Sequence, residues 1–322
     1  LQHTSPRSRL RSGPKVGAIM SILNRPSDGL VSVLVALVRT SIVIGTMHKN
    51  KLLDVCSPAS LGDGKQDMAT KTLNRWIELG LFTISEKDDV KVAEDHRGKL
   101  RKAHATVDSI AEVAREIVLS PANNKNFWSD EENRSADFSR ALCWMLAQDV
   151  HQFVPTSYSQ VEPKALEQAN SADAIIFQND TRWSGYVSWA TFIGFGRSDS
   201  GKASGGFITD PTPAVAGAVK LLLPKKKEVP VIEFLAALSD SLPVLDGGDY
   251  RKEVEGKLRP EKWKAPASTD VSSSLSRALL RLRSQRILQL EKRSDSDAQV
   301  RLIGRGGSVA QTVTHVQRGD AK

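Results

Sequence analysis

The sequence predicts a mainly α-helical fold with small β wings, of the α+β class, in which two winged helix-turn-helix domains flank a central helical region. Two observations carry this prediction. An order of three helices followed by strand, turn and strand occurs near the N-terminus and returns near the C-terminus. Between these two copies, apolar side chains recur at intervals of three and four residues, which is the spacing of amphipathic helices.

The first copy opens with two predicted helices. The apolar run Leu30 to Ile44 is too short to span a membrane, and Arg39 interrupts it. A buried helix that ends at Gly45 explains this run, because glycine readily adopts the left-handed conformation that terminates helices. Lys49 to Val55 is predicted to form a short second helix.

The third helix of the first copy is predicted to end at Gly80. Its apolar residues Leu73, Trp76 and Ile77 share one helical face through their i, i+3, i+4 spacing. The side chains expected to face water are Lys71, Asn74, Arg75 and Glu78.

The second copy has the same order of predicted elements. Its helices are expected at 213–223, 231–238 and 272–285. Both copies have a long connection before the third helix, at 57–67 and at 239–270, and long insertions of this kind are more often functional than structureless.

Two strands are predicted after each third helix. In the first copy they lie at 81–85 and 90–93, separated by a polar turn. In the second copy they lie at 287–290 and 300–303, and the polar loop 291–299 between them is predicted to be the wing.

The third helix of the second copy is the main candidate for contact with DNA. No acidic residue occurs between Asp270 and Glu291, while four arginines do. At about 100° per residue, the side chains opposite the apolar face are Ser273, Arg277, Arg281 and Ser284. Guanidinium groups there would meet guanine edges and phosphates, and Lys292 and Arg293 in the wing would contact backbone phosphates. The corresponding residues of the first copy are Lys71, Asn74 and Arg75, accompanied by the acidic Glu78.

Two other interpretations of these basic residues stay open. They could be an ordinary solvated helix face, and winged helices also serve as protein-docking or dimerisation modules. The chain as a whole has 45 Lys and Arg against 37 Asp and Glu, a net charge of +8 that favours a polyanionic partner.

The domain boundaries follow from these elements. The predicted parts are an extension at 1–19 outside the fold, an N-terminal winged helix at 20–95, a central helical domain at 96–206, a C-terminal winged helix at 207–304 and a tail at 305–322.

The two cysteines, Cys56 and Cys143, cannot form a disulfide framework and favour a reducing, cytoplasmic location. Paired Cys or His motifs are absent from the sequence, so neither a metal nor a cofactor is predicted.

Two short segments resemble catalytic signatures. Residues 196–203 come close to a phosphate-binding loop, but Ala203 after Lys202 lacks the hydroxyl that would hold magnesium. Asp246 and Glu255 have the spacing of a metal-dependent nuclease centre, but the densely charged sequence around Glu255 predicts an exposed helix or loop. Both are interpreted as chance similarities, and the chain is predicted not to be an enzyme.

Three segments together resemble one known family. They are MSILNRPSDGL from Met20, TLNRWIELGLF from Thr72 and SADFSRALCWMLAQDV from Ser135. In this combination the chain resembles the DpdG family, accessory proteins encoded in bacterial gene clusters that place 7-deazaguanine derivatives in DNA. The resemblance covers Met20 to about Gly304. It implies work alongside the modification or restriction enzymes of such a cluster, on the restriction side, against unmodified phage or plasmid DNA.

The leading hypothesis is therefore a non-enzymatic DNA-binding and adaptor subunit of a DNA-modification-linked defence system. Its expected partners are double-stranded DNA and other proteins of the same system, and no association with a membrane is expected. Whether the protein forms a homo-oligomer stays open. The alternatives are a scaffold that docks partner proteins, a transcriptional regulator of the cluster, and a cryptic ATPase or nuclease.

Overall fold

A computed structural model of the chain describes residues 22–23, 30–58, 60, 65–129, 134–171, 176–177, 179–199, 206–294 and 298–320. Twelve α-helices and eleven β-strands lie within this described part. The helices are α1 (Val31–Ile44), α2 (Lys49–Cys56), α3 (Lys65–Glu78), α4 (Glu94–Lys102), α5 (Val107–Val118), α6 (Ala136–Ala147), α7 (Tyr158–Gln168), α8 (Asp180–Phe192), α9 (Thr212–Leu222), α10 (Val231–Ser241), α11 (Asp249–Glu255) and α12 (Ser273–Ser284). The strands are β1 (Met47–His48), β2 (Phe82–Ile84), β3 (Asp89–Val92), β4 (Gly196–Asp199), β5 (Gly206–Thr209), β6 (Glu228–Pro230), β7 (Asp270–Val271), β8 (Leu288–Glu291), β9 (Val300–Ile303), β10 (Val309–Val313) and β11 (His315–Arg318).

The N-terminal part follows the predicted order of elements. Helix α1 buries Leu34, Leu37 and Val38, and the chain leaves it through Gly45 at φ +89°. The strands form an antiparallel sheet in the order β1-β3-β2, so the short strand before α2 pairs with the last strand of the segment. The prediction of a buried helix in place of a membrane span is confirmed, and α3 begins earlier than expected, at Lys65.

The end of α3 has the predicted glycine geometry. Gly80 lies at φ +97°, and Leu81 beyond it donates its backbone N–H to the carbonyl of Trp76 at 2.9 Å. A side chain at position 80 would strain this left-handed conformation. The chain then enters β2, whose Phe82 pairs with Val92 of β3.

The C-terminal part contains a sheet with the same strand order. Its order is β6-β11-β8, again with the first strand of the segment beside the last. The prediction that 287–290 pairs with 300–303 is wrong, because β8 pairs with β11, where Val316 lies opposite Leu290. The residues predicted as a tail from 305 onward thus supply a strand of this sheet. Strand β9 is paired with β10 and β7 instead, and Val316 of β11 is fully buried in the centre of the sheet.

A second small sheet combines β9 and β10, which lie between β8 and β11 in the chain, with β7, which precedes α12. Its order is β10-β9-β7, in which β9 pairs antiparallel with β10 and parallel with β7. The segment predicted as the wing therefore connects two sheets, and the projecting hairpin is β9–β10. This hairpin turns through a 3-10 segment at Arg305–Gly307, where Gly306 and Gly307 both have positive φ.

The central part is helical up to α8 and ends in a hairpin. The aromatic side chains of Phe177, Trp183 and Tyr186 lie 5.4 to 5.6 Å apart by ring centroid and are buried in its core. Strands β4 and β5 pair antiparallel, with Arg197 opposite Ile208. The segment that resembled a phosphate-binding loop thus begins on a hairpin strand, while Lys202 lies outside the described residues.

Two further observations concern the described residues only. None of their helices has the length and the apolar character needed to cross a bilayer. No group of three or more His, Cys, Asp or Glu side chains among them is arranged to hold a metal ion. The extension at 1–19 lies outside the described part of the chain, and the domain boundaries stay a prediction.

Candidate nucleic-acid interface

Helix α12 begins with a capped N-terminus. The Ser272 hydroxyl accepts the backbone N–H of Leu275 at 3.3 Å. Asp246 in turn accepts both the N–H and the hydroxyl of Ser272, each at 2.6 Å.

Glu255 accepts a hydrogen bond from Nε of the buried Arg251 at 2.6 Å. Each of the two carboxylates that resembled a nuclease pair therefore has its own structural partner.

The first turns of α12 pack against the chain that follows α6. The backbone N–H of Val150 donates to the Ser273 hydroxyl at 3.1 Å. Arg277 donates from Nη2 to the carbonyl of Val150 at 2.9 Å and lies 3.2 Å from Nδ1 of His151. Ser273 and Arg277 thus lie opposite the apolar face of α12, as the helical spacing predicts, but both are half-buried and hydrogen-bonded to Val150. The backbone groups just beyond the end of α6 need hydrogen-bond partners, and these two side chains supply them.

One turn later, Arg281 meets a buried carboxylate. Its Nη1 donates to Oδ2 of Asp210 at 2.8 Å. Nε of Arg197, on β4, lies 3.4 Å from the same oxygen. Only 3% of Asp210 is exposed, whereas about half of the Arg197 side chain reaches solvent. The hairpin β4–β5 is thus tied to the middle of α12 by charge.

These contacts produce a cleft with four guanidinium groups. We define the arginine cleft by Arg197, Arg277, Arg281 and Arg305, together with His151. Its volume is about 460 Å³, and its four arginines come from three separate segments: β4, α12 and the turn of the β9–β10 hairpin. Four arginines line this cleft and two of them share the buried carboxylate of Asp210, so the cleft suits an anion larger than a single carboxylate.

The electrostatics of the cleft agree with its composition. Burial lowers the pKa of Arg277; Asp210 opposes this shift, and the positive charges of Arg197 and Arg281 add to it. The pKa of His151 is also lowered, by burial first and then by Arg277. His151 is therefore neutral at pH 7, and the crowded guanidinium groups would gain stability from a bound anion.

The remaining predicted residues of this part of the chain lie on its surface. Ser284 is exposed and donates to the carbonyl of Leu280 at 3.0 Å. Lys292 is exposed, and the described residues offer it no partner. Arg293 donates to Glu228 on β6, so the structure ties it to the neighbouring strand. Lys292 is accordingly the freer cation of this pair.

The N-terminal candidates form a less basic surface. Asn74 is exposed and accepts a hydrogen bond from Lys49 at 2.8 Å, and Lys71 pairs with Asp67 at 2.7 Å. Arg75 is only 5% exposed, so the expectation that it faces water is wrong. Helix α3 also packs against α8 of the central part, since the ring of Trp76 lies 5.4 Å from that of Trp189.

The comparison with protein families gives a match over most of the chain. A family model described as DpdG-like matches residues 20–296, which is most of the chain. The chain belongs to the DpdG-like family. The comparisons with curated proteins and with solved structures find no match. Membership of the DpdG-like family suggests a role in the Dpd 7-deazaguanine modification system.

In this member of the DpdG-like family, the sequence did not indicate three of the five residues that define the arginine cleft. Arg197 lies in the segment that resembles a phosphate-binding loop, and Arg305 lies in the predicted tail. His151 and Asp210 carried no motif. Arg197 and Arg305 share one sequence signal, because each stands beside glycine in a hairpin-forming segment. That signal could not place the two arginines beside α12.

Proposed function

We propose that this chain is a non-enzymatic DNA-binding and adaptor subunit of the Dpd 7-deazaguanine system, acting on its restriction or defence side. The observation that carries the proposal is the arginine cleft, in which four guanidinium groups converge on α12. Backbone phosphates are the anions that arginines of this arrangement bind well, and they fix a protein on a duplex without base contacts.

We further propose that both ends of the chain are winged helices. The N-terminal unit has the order helix, strand, helix, helix, strand, strand, and the C-terminal unit has the same order once α11 and β7 before α12, and β9 and β10 after β8, are treated as insertions. In both sheets the first strand lies beside the last. In the C-terminal unit, β11 takes the place of the last strand and the β9–β10 hairpin is an extended wing. The third helix is then α12, the element that presents Arg277 and Arg281.

The contact with DNA would use the C-terminal half of α12 and its neighbours. Arg281, Arg283 and Ser284 lie on this half, and Arg283 and Ser284 are exposed. Arg305 extends the basic surface from the hairpin turn, and Lys292 adds a cation from the connection after β8. The first turns of α12 are closed by the 148–151 segment, so we expect the duplex to approach the later turns.

A second candidate function is a protein scaffold, and one observation favours it for the N-terminal unit. Val43 and Ile44 at the end of α1 are 82% and 54% exposed, and Val55 at the end of α2 is 53% exposed. Apolar side chains of this size near one another on a surface are typical of protein-docking patches. The scaffold hypothesis predicts binding of partner proteins through these residues and no specific affinity for DNA.

Fluorescence anisotropy with a labelled duplex of about 20 base pairs tests the DNA-binding proposal. We expect the Arg281→Ala/Arg305→Ala variant to bind about ten- to a hundredfold more weakly than the wild type, since two charged phosphate contacts are lost. The matched control is Arg97→Ala/Arg101→Ala, which removes the same charge from α4 and should bind within about threefold of the wild type. Equal losses in the two variants would leave only a general charge effect and would favour the scaffold.

A further inference from the structure

A second concavity lies next to the arginine cleft. It has a volume of about 390 Å³, and we call it the Trp263 pocket. The lining residues used below are Asp149, Lys164, Trp263, Lys264, Asp270 and Ser273. Its size suits one nucleobase with its sugar.

The pocket and the cleft share three chain segments. On α12, Ser273 lines the pocket and Arg277 lines the cleft, one helical turn later. After α6, Asp149 belongs to the pocket and Val150 to the cleft. In the turn of the β9–β10 hairpin, glycines line the pocket on either side of Arg305, which lines the cleft. The two concavities are therefore direct neighbours.

The indole of Trp263 is held in a fixed position. Its Nε1 donates to the carbonyl of Ala147 at 3.0 Å, and the residue is half-buried. A fixed aromatic side chain at the wall of an open pocket is a stacking partner for a nucleobase, and such stacking tolerates any base. Lys264 is exposed, and the described part of the chain gives it no partner, so it can approach a neighbouring phosphate.

Charge distinguishes the linings of the two concavities. Two carboxylates, Asp149 and Asp270, line the pocket together with three lysines, so its lining is mixed in charge. The cleft is lined by four arginines, two of which share the buried carboxylate of Asp210 just outside the lining. A phosphate is therefore favoured in the cleft. The mixed lining of the pocket suits an uncharged base, whose N–H groups can be accepted by the second oxygens of Asp149 and Asp270.

We propose that the arginine cleft and the Trp263 pocket together bind one unpaired nucleotide of a DNA strand, with its phosphate in the cleft and its base against Trp263. The ligand is thus DNA with a base outside the stack, either in a single strand or displaced from a duplex. This inference rests on the proposed function, since it assumes that the arginine cleft binds DNA. The inference adds that the protein prefers DNA with an unpaired base to a fully paired duplex.

The test compares three labelled DNAs of one sequence: a perfect duplex, the same duplex with one unpaired central base, and the single strand. We expect the wild type to bind the bulged duplex and the single strand about tenfold more tightly than the perfect duplex, in line with the stacking of one base. Trp263→Leu should abolish this preference and leave the affinity for the perfect duplex unchanged, while Trp263→Phe should retain most of it. Trp128→Leu, a change at another half-buried tryptophan, is the matched control and should keep the full preference.

The outcomes separate this inference from the proposed function. Equal binding of all three DNAs, or a preference that survives Trp263→Leu, overturns the inference and leaves DNA binding intact. Failure to bind any of the three overturns the proposed function as well. If Trp263→Leu does not fold, Lys264→Ala replaces it, and it should weaken binding of the bulged duplex about threefold more than binding of the perfect duplex.

Discussion

Arg281 donates a hydrogen bond from Nη1 to Oδ2 of Asp210 at 2.8 Å, and Asp210 is almost completely buried. The same carboxylate lies 3.4 Å from Nε of Arg197. One acidic side chain therefore holds together two of the four guanidinium groups of the arginine cleft. In the absence of a ligand it also neutralises part of their charge.

Removing the charge of Asp210 should make the cleft a stronger anion site. In Asp210→Asn, Arg281 and Arg197 lose their counter-ion while the amide keeps a similar shape. We expect duplex affinity to increase by about fivefold, roughly 1 kcal/mol, which is the interaction of two unit charges about 4 Å apart at the dielectric of water. Anisotropy at about 100 mM salt measures the change, and an affinity that falls would show that Asp210 positions the arginines more than it neutralises them.

The same variant should be less stable than the wild type. Asp210 also accepts the N–H of Thr212 at 3.1 Å at the start of α9, and its buried carboxylate pairs with Arg281. Weakening a buried, charged hydrogen bond costs about 1–3 kcal/mol of the free energy of unfolding. Urea unfolding measures this cost, and an unchanged midpoint would contradict the buried pair.

His151 should make stability fall in mild acid. Burial, followed by the positive charges of Arg277 and Arg305, lowers its pKa below the usual 6.5 in the folded chain. The unfolded chain then binds more protons, so the contribution of neutral His151 is fully present above about pH 6.5 and is lost as the pH falls toward the folded pKa. Between pH 7.5 and 5, we expect the thermal midpoint of His151→Gln to fall less than that of the wild type. Parallel curves would show that His151 does not titrate in this way.

The central position of β11 can be tested through Val316. This residue is fully buried and lies opposite both Val229 of β6 and Leu290 of β8. We expect Val316→Ala to lower the free energy of unfolding by about 2 kcal/mol, through lost burial and the cavity left behind. Gln317→Ala, the half-exposed neighbour, is the control and should change it by less than about 0.5 kcal/mol. Equal small effects would place β11 outside the sheet.

The two cysteines should differ in reactivity. Cys143 is fully buried, and burial raises the pKa of its thiol far above the usual range. The pKa of Cys56 is also raised by burial, but that residue is only partly covered. Because the thiolate is the reactive form, we expect at most one thiol to react with Ellman's reagent in the native protein, slowly, and two in guanidinium chloride. Two thiols reacting at one rate in the native protein would contradict this packing.

The sequence was informative wherever local pattern determines the structure. The apolar spacing of Leu73 and Trp76, and the glycines at 45 and 80, predicted helices of the N-terminal unit and their ends, because these signals act within a few residues. The sequence misassigned the last strand of the C-terminal unit, since 300–303 (VRLI) is a clear apolar stretch whereas 315–318 (HVQR) contains a single apolar residue. Strand β11 is defined by its pairing with β6 and β8, and such long-range pairing is not encoded in local pattern.

The candidate site was less predictable than the fold. Helical periodicity correctly placed Arg277 and Arg281 away from the apolar face of α12, but it gives no information about what another part of the chain will cover. Ser273 was placed opposite the apolar face of α12, and its hydroxyl accepts a hydrogen bond from Val150 of the central region. Arg75 was expected to face water and is buried. Arg197 and Arg305 join α12 only through long-range packing, which spacing along the chain does not encode.

The most direct test of the DNA-binding claim is the salt dependence of duplex binding by the wild type and by Arg277→Ala/Arg281→Ala. Anisotropy between about 50 and 200 mM salt, with modified and unmodified duplexes, gives the slope of log K against log salt concentration, about −0.9 for each phosphate contact. We predict a steep slope for the wild type and a slope shallower by about one to two in the variant. Identical slopes and affinities for the two proteins would contradict the assignment of phosphate binding to the arginine cleft.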